Sequence, residues 1–168
     1  YNTDYFGFGT MLKNANIDVK DKRVVQLGAG GAGKAALAYC HAAGAKEILV
    51  LDLNEEALVN MTKLFPYIKT GSMQDTNLLQ GDLIINATPV GMYPNVDSCI
   101  LEKEIINRFE SAADIVYNPP ETKFIRIAKE CGMNASGGLY MLLFQGVRAM
   151  EIWQGTDIDT ESVLPIYK

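Results

Sequence analysis

A chain of 168 residues, 48% hydrophobic and 21% charged, has the size and composition of one globular domain with a sizeable core. A net charge of −5 and the lack of any basic run argue against nucleic acid and anionic membrane surfaces as partners. No apolar stretch reaches the roughly 18 residues of a membrane span and no signal-peptide pattern opens the sequence; Cys40, Cys99 and Cys131 lack CxxC spacing and read as small buried hydrophobes of a reducing cytoplasm.

The chain opens at Tyr1 rather than at a methionine, which reads as a piece cut from a longer protein. Asn2 or Thr3 is placed to cap a first helix, and Asp4 in its first turn complements the helix dipole. That helix runs through Phe8, Met11 and Leu12 and frays near residues 14–16, before a mostly charged turn over 18–22. Residues 23–27, bounded by charge before and glycine after, read as a buried parallel strand. A helix is expected over 32–43, stopped at Gly44, then a second strand over 47–51 and an amphipathic helix over 55–65 ended by Pro66. A weak third strand falls near 68–70, a fourth over 83–86, a fifth at Ile115–Val116 and a sixth over 134–136, the last two flanking a helix from 122 to 131. The closing segment, 139–153, is apolar on most of its circumference and expects burial on several sides.

Strand and helix alternate throughout, so the expected fold is α/β: a Rossmann-type, doubly wound, mostly parallel sheet with C-terminal helices and ligands at the carboxyl ends of the strands. Gly28-Ala29-Gly30-Gly31-Ala32-Gly33 fits GxGxxG, and it leaves an expected strand and opens an expected helix, the context the motif requires. The first glycine permits the tight turn, the second lets backbone approach a pyrophosphate, and the third lets helix and strand pack closely. Free N–H groups at the helix start then hold the phosphates. Asp52, 19 residues after Gly33, stands where an acid accepts from both adenosine-ribose hydroxyls and repels a 2′-phosphate. No arginine follows it, which favours NAD, with NADP as the alternative. A plain glycine turn and a helix N-terminal acid are the bland readings of the same residues.

Five short motifs in register carry a resemblance. Asn2-Thr3-Asp4, the glycine turn, Asn86-Ala87-Thr88-Pro89-Val90-Gly91-Met92, Asp114-Ile115-Val116-Tyr117-Asn118-Pro119 and Gly138-Leu139-Tyr140-Met141-Leu142-Leu143-Phe144-Gln145 together resemble the shikimate dehydrogenase family, including its quinate/shikimate branch. The resemblance implies the cofactor domain of a two-domain enzyme that reversibly reduces 3-dehydroshikimate to shikimate in aromatic amino-acid biosynthesis. Residues 1–168 would form one NAD(P)-binding domain, with 1–16 a hinge helix and 139–168 helices returning to a substrate domain outside the chain. By the same resemblance Asp4 is the catalytic aspartate, its partner lysine and the carboxylate-gripping residues lying outside the chain. Gln145 and Tyr117 would bind substrate. Asn86, Thr88 and Pro89 would border the nicotinamide half of the cofactor, and Gly138 and Met141 would meet its ring.

NADP-using members commonly carry Asn-Arg-Thr after the second strand, where this chain has Asp52-Leu53-Asn54; this points to the NAD-using type. Tyr5 stands where glycine is frequent. His41, the only histidine, sits two turns from the phosphate turn and reads as solvated or capping, and no His, Cys, Asp or Glu spacing suits a metal. The partner expected is a small-molecule substrate; a homodimer is left open, as is shikimate against quinate. A non-catalytic dinucleotide-sensing domain is the competing reading, and Asp4 with Gln145 and Tyr117 is what a sensor would not need.

Overall fold

A computed structural model describes residues 2–74 and 79–164. Its centre is a six-stranded, all-parallel sheet in the order β3-β2-β1-β4-β5-β6, where β1 is Arg23–Leu27, β2 Glu47–Asp52, β3 Lys69–Ser72, β4 Leu83–Asn86, β5 Ser111–Asp114 and β6 Asn134–Ser136. The order reverses between β1 and β4, and that switch point opens a crevice at the strands' carboxyl ends. Helices cover both faces. The helices α1 (Thr3–Asn14), α2 (Gly31–Ala42), α3 (Glu55–Leu64) and α6 (Gly138–Gln154) lie on one face, and α4 (Lys103–Ile106) and α5 (Lys123–Glu130) on the other; α7 (Thr160–Val163) closes the described chain.

Strand alternation sorts the core into two layers. Val24, Val50, Leu83, Ile85 and Ala113 face Phe8, Met11, Leu37 and Phe144, while Val25, Leu27, Leu51, Ile84 and Ala112 face Ile106, Phe124 and Ile125. Each fully buried large side chain among these contributes about 1.5–3 kcal/mol. Helix ends follow their sequence signals. The Asn2, Asn54 and Thr122 side chains accept from Tyr5, Ala57 and Ile125 N–H, capping α1, α3 and α5, and Gly44 takes the left-handed φ of +87° just past α2.

α1 is locked between its neighbours by two glycines. A Cβ on Gly7 would stand 2.6 Å from the Met141 carbonyl oxygen, and one on Gly9 would stand 2.1 Å from the Tyr39 ring. Backbone therefore touches neighbour on both sides of α1, which fixes where its first turn, and Asp4, can sit.

Several expected boundaries moved. The fifth strand is Ser111–Asp114 and not Ile115–Val116; the last β4–β5 bond runs from the Ile115 N–H to the Asn86 carbonyl, and the chain leaves the sheet beyond it. The third strand extends to Ser72, and α4 had no expectation at all. His41 is exposed in the last turn of α2 and stacks flat on Tyr67, ring centroids 3.5 Å apart. Cys40 is fully buried, but Cys99 and Cys131 are only half-buried. α6 buries Met141, Leu143, Phe144 and Val147 yet leaves Met150 and Trp153 exposed.

Candidate cofactor and substrate site

Two clefts lie at the carboxyl ends of the strands. The larger, about 410 Å³, is lined by Gly28, Gly30, Leu51, Asp52, Leu53, Met73, Ala87, Thr88, Pro89, Val90 and Ile100. The smaller, about 210 Å³, is lined by Asp4, Ala32, Ile115, Tyr117, Gly138, Met141, Leu142 and Gln145. Ala32, in the first turn of α2, thus borders one cleft while Gly28 and Gly30 border the other, so the glycine turn runs between the two.

The four glycines of that turn fall into two kinds. Gly28 takes φ +103° and a Cβ there would meet the Ala87 carbonyl oxygen at 2.6 Å; a Cβ on Gly33 would meet the Gln26 amide nitrogen at 2.8 Å and the Gly28 carbonyl oxygen at 3.1 Å. Those two are required by the fold. Gly30 and Gly31 are different: neither has a positive φ, and a Cβ on either would have nothing within 4 Å. Gly30 is the N-cap of α2 and makes no side-chain cap, so the N–H groups of the first turn of α2 point out unpaired by the helix. This open, donor-rich cradle fits a pyrophosphate.

The turn is held from below and from the side. The buried Gln26 amide donates to the Gly28 carbonyl at 2.8 Å, and the Asp52 carboxylate accepts from Ala29 N–H at 2.7 Å and Asn54 N–H at 2.8 Å. Asp52 therefore ties the turn to the start of α3 and keeps its remaining lone pairs on the cleft wall. Leu51, Leu53, Met73 and Ile100 supply apolar surface beside it.

Asn86 is fully buried, unlike the neighbours expected to work with it. Its amide nitrogen donates to Val90 carbonyl and Asp114 Oδ1, both at 3.1 Å, and its oxygen accepts from Thr88 N–H at 3.1 Å and Thr88 hydroxyl at 2.7 Å. Its side chain is wholly engaged in shaping the 86–90 loop, and it is Thr88 and Pro89 that reach the cleft.

On the other side, α1 brings Asp4 and α6 brings Gln145 to one wall, with Tyr117 from the loop after β5 opposite. Asp4 and Gln145 are half-buried, and neither side chain makes a hydrogen bond among the described residues. A carboxylate and an amide, both unengaged and facing the same small cleft, are suited to a polyhydroxylated ring. Gly138 lets α6 start against the end of β5, where a Cβ would come 2.2 Å from the Ile115 carbonyl oxygen. Met141, one turn on, is buried and forms the cleft floor.

One group at the site was not singled out from sequence. Asp114, at the last position of β5, is fully buried; its carboxylate accepts from Asn86, from Val116 N–H at 2.9 Å and from the Thr122 hydroxyl at 2.6 Å. Burial pushes its carboxyl up to about 6, against the pull of those three bonds. Among the described residues, no group of three or more His, Cys, Asp or Glu side chains is placed to hold a metal, and no helix is long and apolar enough to cross a membrane.

The parallel sheet, its strand order and its helices on both faces define a Rossmann-type α/β domain. Along its whole length the chain is homologous to shikimate dehydrogenases. It is 40% identical over 170 residues to the shikimate dehydrogenase (NADP(+)) of Clostridium perfringens, covering all of this chain and 62% of that relative. The crystal structure of a chorismate mutase/shikimate 5-dehydrogenase fusion protein from Clostridium acetobutylicum superimposes with a TM-score of 0.89 at 41% identity, over 99% of this chain and 60% of the other. Shikimate 5-dehydrogenase from Listeria monocytogenes, solved with shikimate and NAD, gives 0.82 at 29% identity, over 99% and 62%. The chain thus spans about three fifths of the length of these relatives. No family model matches it.

Proposed function

We propose that this chain is the cofactor-binding part of a shikimate or quinate/shikimate dehydrogenase, an oxidoreductase that interconverts 3-dehydroshikimate and shikimate in the cytoplasm. The observation that carries the reading is Gly30 and Gly31: glycine stands at two positions where neither backbone angle nor neighbouring atoms call for it, in front of an uncapped helix start. A ligand that must approach the backbone explains both.

In this reading the N–H groups of the first turn of α2 hold the pyrophosphate, and the Asp52 carboxylate accepts from the adenosine ribose. Thr88 and Pro89 border the nicotinamide end, while Gly138 and Met141 flank the ring. A nicotinamide dinucleotide bound there supplies or accepts the hydride. Asp4 takes or returns the proton of the substrate hydroxyl, Gln145 both donates to and accepts from the ring hydroxyls, and Tyr117 closes the open side. Residues that grip the substrate carboxylate belong to the further two fifths that the relatives possess, so residues 1–168 alone bind dinucleotide and turn over dehydroshikimate negligibly.

NAD is the preferred dinucleotide. Asp52 is pinned by two backbone N–H groups and does not swing away from a 2′-phosphate, and Leu53 and Asn54 offer no cation to neutralise one. The Clostridium perfringens relative is named for NADP(+), which makes this the reading's sharpest test. Calorimetric titration with NAD and NADP at matched ionic strength is expected to show binding, tighter for NAD. It is also expected to show weakening of about tenfold or more in Gly30→Ala, whose stability falls by no more than about 1 kcal/mol. Absence of binding by wild type, or Gly30→Ala binding as tightly, overturns the proposal.

A further inference from the structure

The geometry points to Asp114 as a positioning residue that sets the two clefts against one another, resting on the function just proposed. Its carboxylate bonds to residues that stand directly behind both walls. Toward the larger cleft it holds Asn86, and Asn86 in turn holds Thr88 by two bonds and Val90 by one; Thr88 and Val90 face the cleft. Toward the smaller cleft it takes the N–H of Val116, between Ile115 and Tyr117, which both line that cleft. The Val116 carbonyl continues the link by accepting from Gly138 N–H at 3.1 Å, at the start of the helix that carries Met141 and Gln145. A third bond, from the Thr122 hydroxyl, ties the carboxylate to the N-cap of α5, so the hub itself is anchored to a helix on the opposite face of the sheet.

The pairing is built into the register. Asn86 and Asp114 are partners at the ends of adjacent strands β4 and β5, both fully buried. A buried carboxylate is retained there at a desolvation cost, and apolar residues would fill the space more cheaply. What an apolar pair could not do is fix the 86–90 and 115–117 loops relative to each other. Hydride transfer between groups held on the two walls is sensitive to just that distance, a misplacement of an ångström costing on the order of a hundredfold in rate. The adenosine and pyrophosphate contacts lie elsewhere, on Asp52 and the glycine turn, and none of them runs through Asp114.

The test is a split between binding and turnover, made in the complete enzyme. Asp114→Asn keeps an acceptor toward Asn86 and Val116 and a donor toward the Thr122 hydroxyl. It is expected to stay within about threefold of wild type in kcat and in dinucleotide Kd. Asp114→Ala is expected to lower kcat by roughly tenfold to a hundredfold while dinucleotide Kd moves less than about threefold. Should Asp114→Ala fail to fold, Asp114→Ser serves, since one hydroxyl cannot span Asn86, Val116 and Thr122 together. Parallel losses in kcat and Kd, or an alanine or serine variant with wild-type kcat, overturn the inference and leave Asp114 a purely structural acid. Wild-type enzyme that binds no dinucleotide removes the parent reading, and this inference with it.

Discussion

The larger cleft is walled by Gly28, Gly30, residues 51–53 and the 87–90 loop, with Met73 and Ile100 beside them; the smaller brings Asp4 together with Tyr117 and Gln145, which lie more than a hundred residues further along the chain. The first rests mainly on the ends of the adjacent strands β1, β2 and β4 and the turns that follow them, and its polar groups are tied down: Asp52 by two N–H groups, Thr88 by Asn86. The second depends on α1 and α6 meeting across Gly7, and its polar groups are unengaged, with Tyr117 about half exposed. A ligand-holding surface can be pre-set by local backbone. A reacting surface is left free to bond to what arrives, and it is exact only if distant elements dock correctly.

The largest effect that separates the two clefts is expected from Asp4→Asn in the complete enzyme. On the proposed function, loss of Asp4 as the proton-transfer group lowers kcat by about 10²–10⁴, while dinucleotide Kd moves by less than about threefold because the adenosine and pyrophosphate contacts lie in the other cleft. Steady-state kinetics beside calorimetry checks this, and a matching loss of cofactor affinity would dissolve the division between the clefts.

Gly138→Ala breaks the smaller cleft mechanically. The added carbon would stand 2.2 Å from the Ile115 carbonyl oxygen and 2.7 Å from the Val116 carbonyl carbon, both backbone, so α6 must move. A destabilisation of about 3 kcal/mol or more is expected in urea unfolding, against about 1 kcal/mol or less for Gly30→Ala, whose new methyl group meets open space at the α2 N-cap.

Asp114 gives the pH test. Its carboxyl is raised to about 6 in the folded protein, so between about 4 and 6 the folded state holds a proton that the unfolded state has released. Its contribution favours folding at low pH and is lost as pH rises through about 6. Asn at this position does not titrate. The stability of Asp114→Asn relative to wild type should therefore grow by about 1–3 kcal/mol from pH 4 to pH 7. Glu47 and Glu151, held low by Lys69 and Arg148, act in the opposite direction but equally in both proteins, so the difference between the two curves isolates Asp114. A difference that stays flat with pH would mean that the carboxylate ionises normally despite its burial.

These effects also mark what could be read in the sequence. The bounds of β1, β4 and β6 were legible because charge, glycine and apolar runs punctuate them, and five residues named from the resemblance, Asp4, Tyr117, Gln145, Gly138 and Met141, line one cleft, which brings them together without testing their roles. β5 was misplaced because its buried residues are Ala112 and Ala113, poor strand formers that pack under close neighbours, while the more apolar Ile115 and Val116 just beyond it drew the assignment. Asn86 looked like a cleft residue because it ends a strand at the switch point; that its side chain turns inward depends on Asp114, its partner on the next strand. The available signal was that both strands end in a polar residue, but only the β4–β5 register shows that the two are opposite each other.

The smallest expected effect is the most discriminating for the larger cleft. Asp52→Ala frees the exposed Asn54 N–H, which water satisfies, and the part-buried Ala29 N–H, which only water entering from the cleft can reach, so stability should fall by about 1–2 kcal/mol. Binding responds in two directions at once. NAD loses an acceptor for its ribose hydroxyls and weakens by about tenfold, whereas a 2′-phosphate loses the charge that repelled it, so the NADP-to-NAD affinity ratio rises. Titration of both dinucleotides against both proteins reads that ratio directly. A ratio unchanged by the substitution would mean that Asp52 only braces the glycine turn, and dinucleotide choice would then rest on the apolar residues beside it, Leu53, Met73 and Ile100.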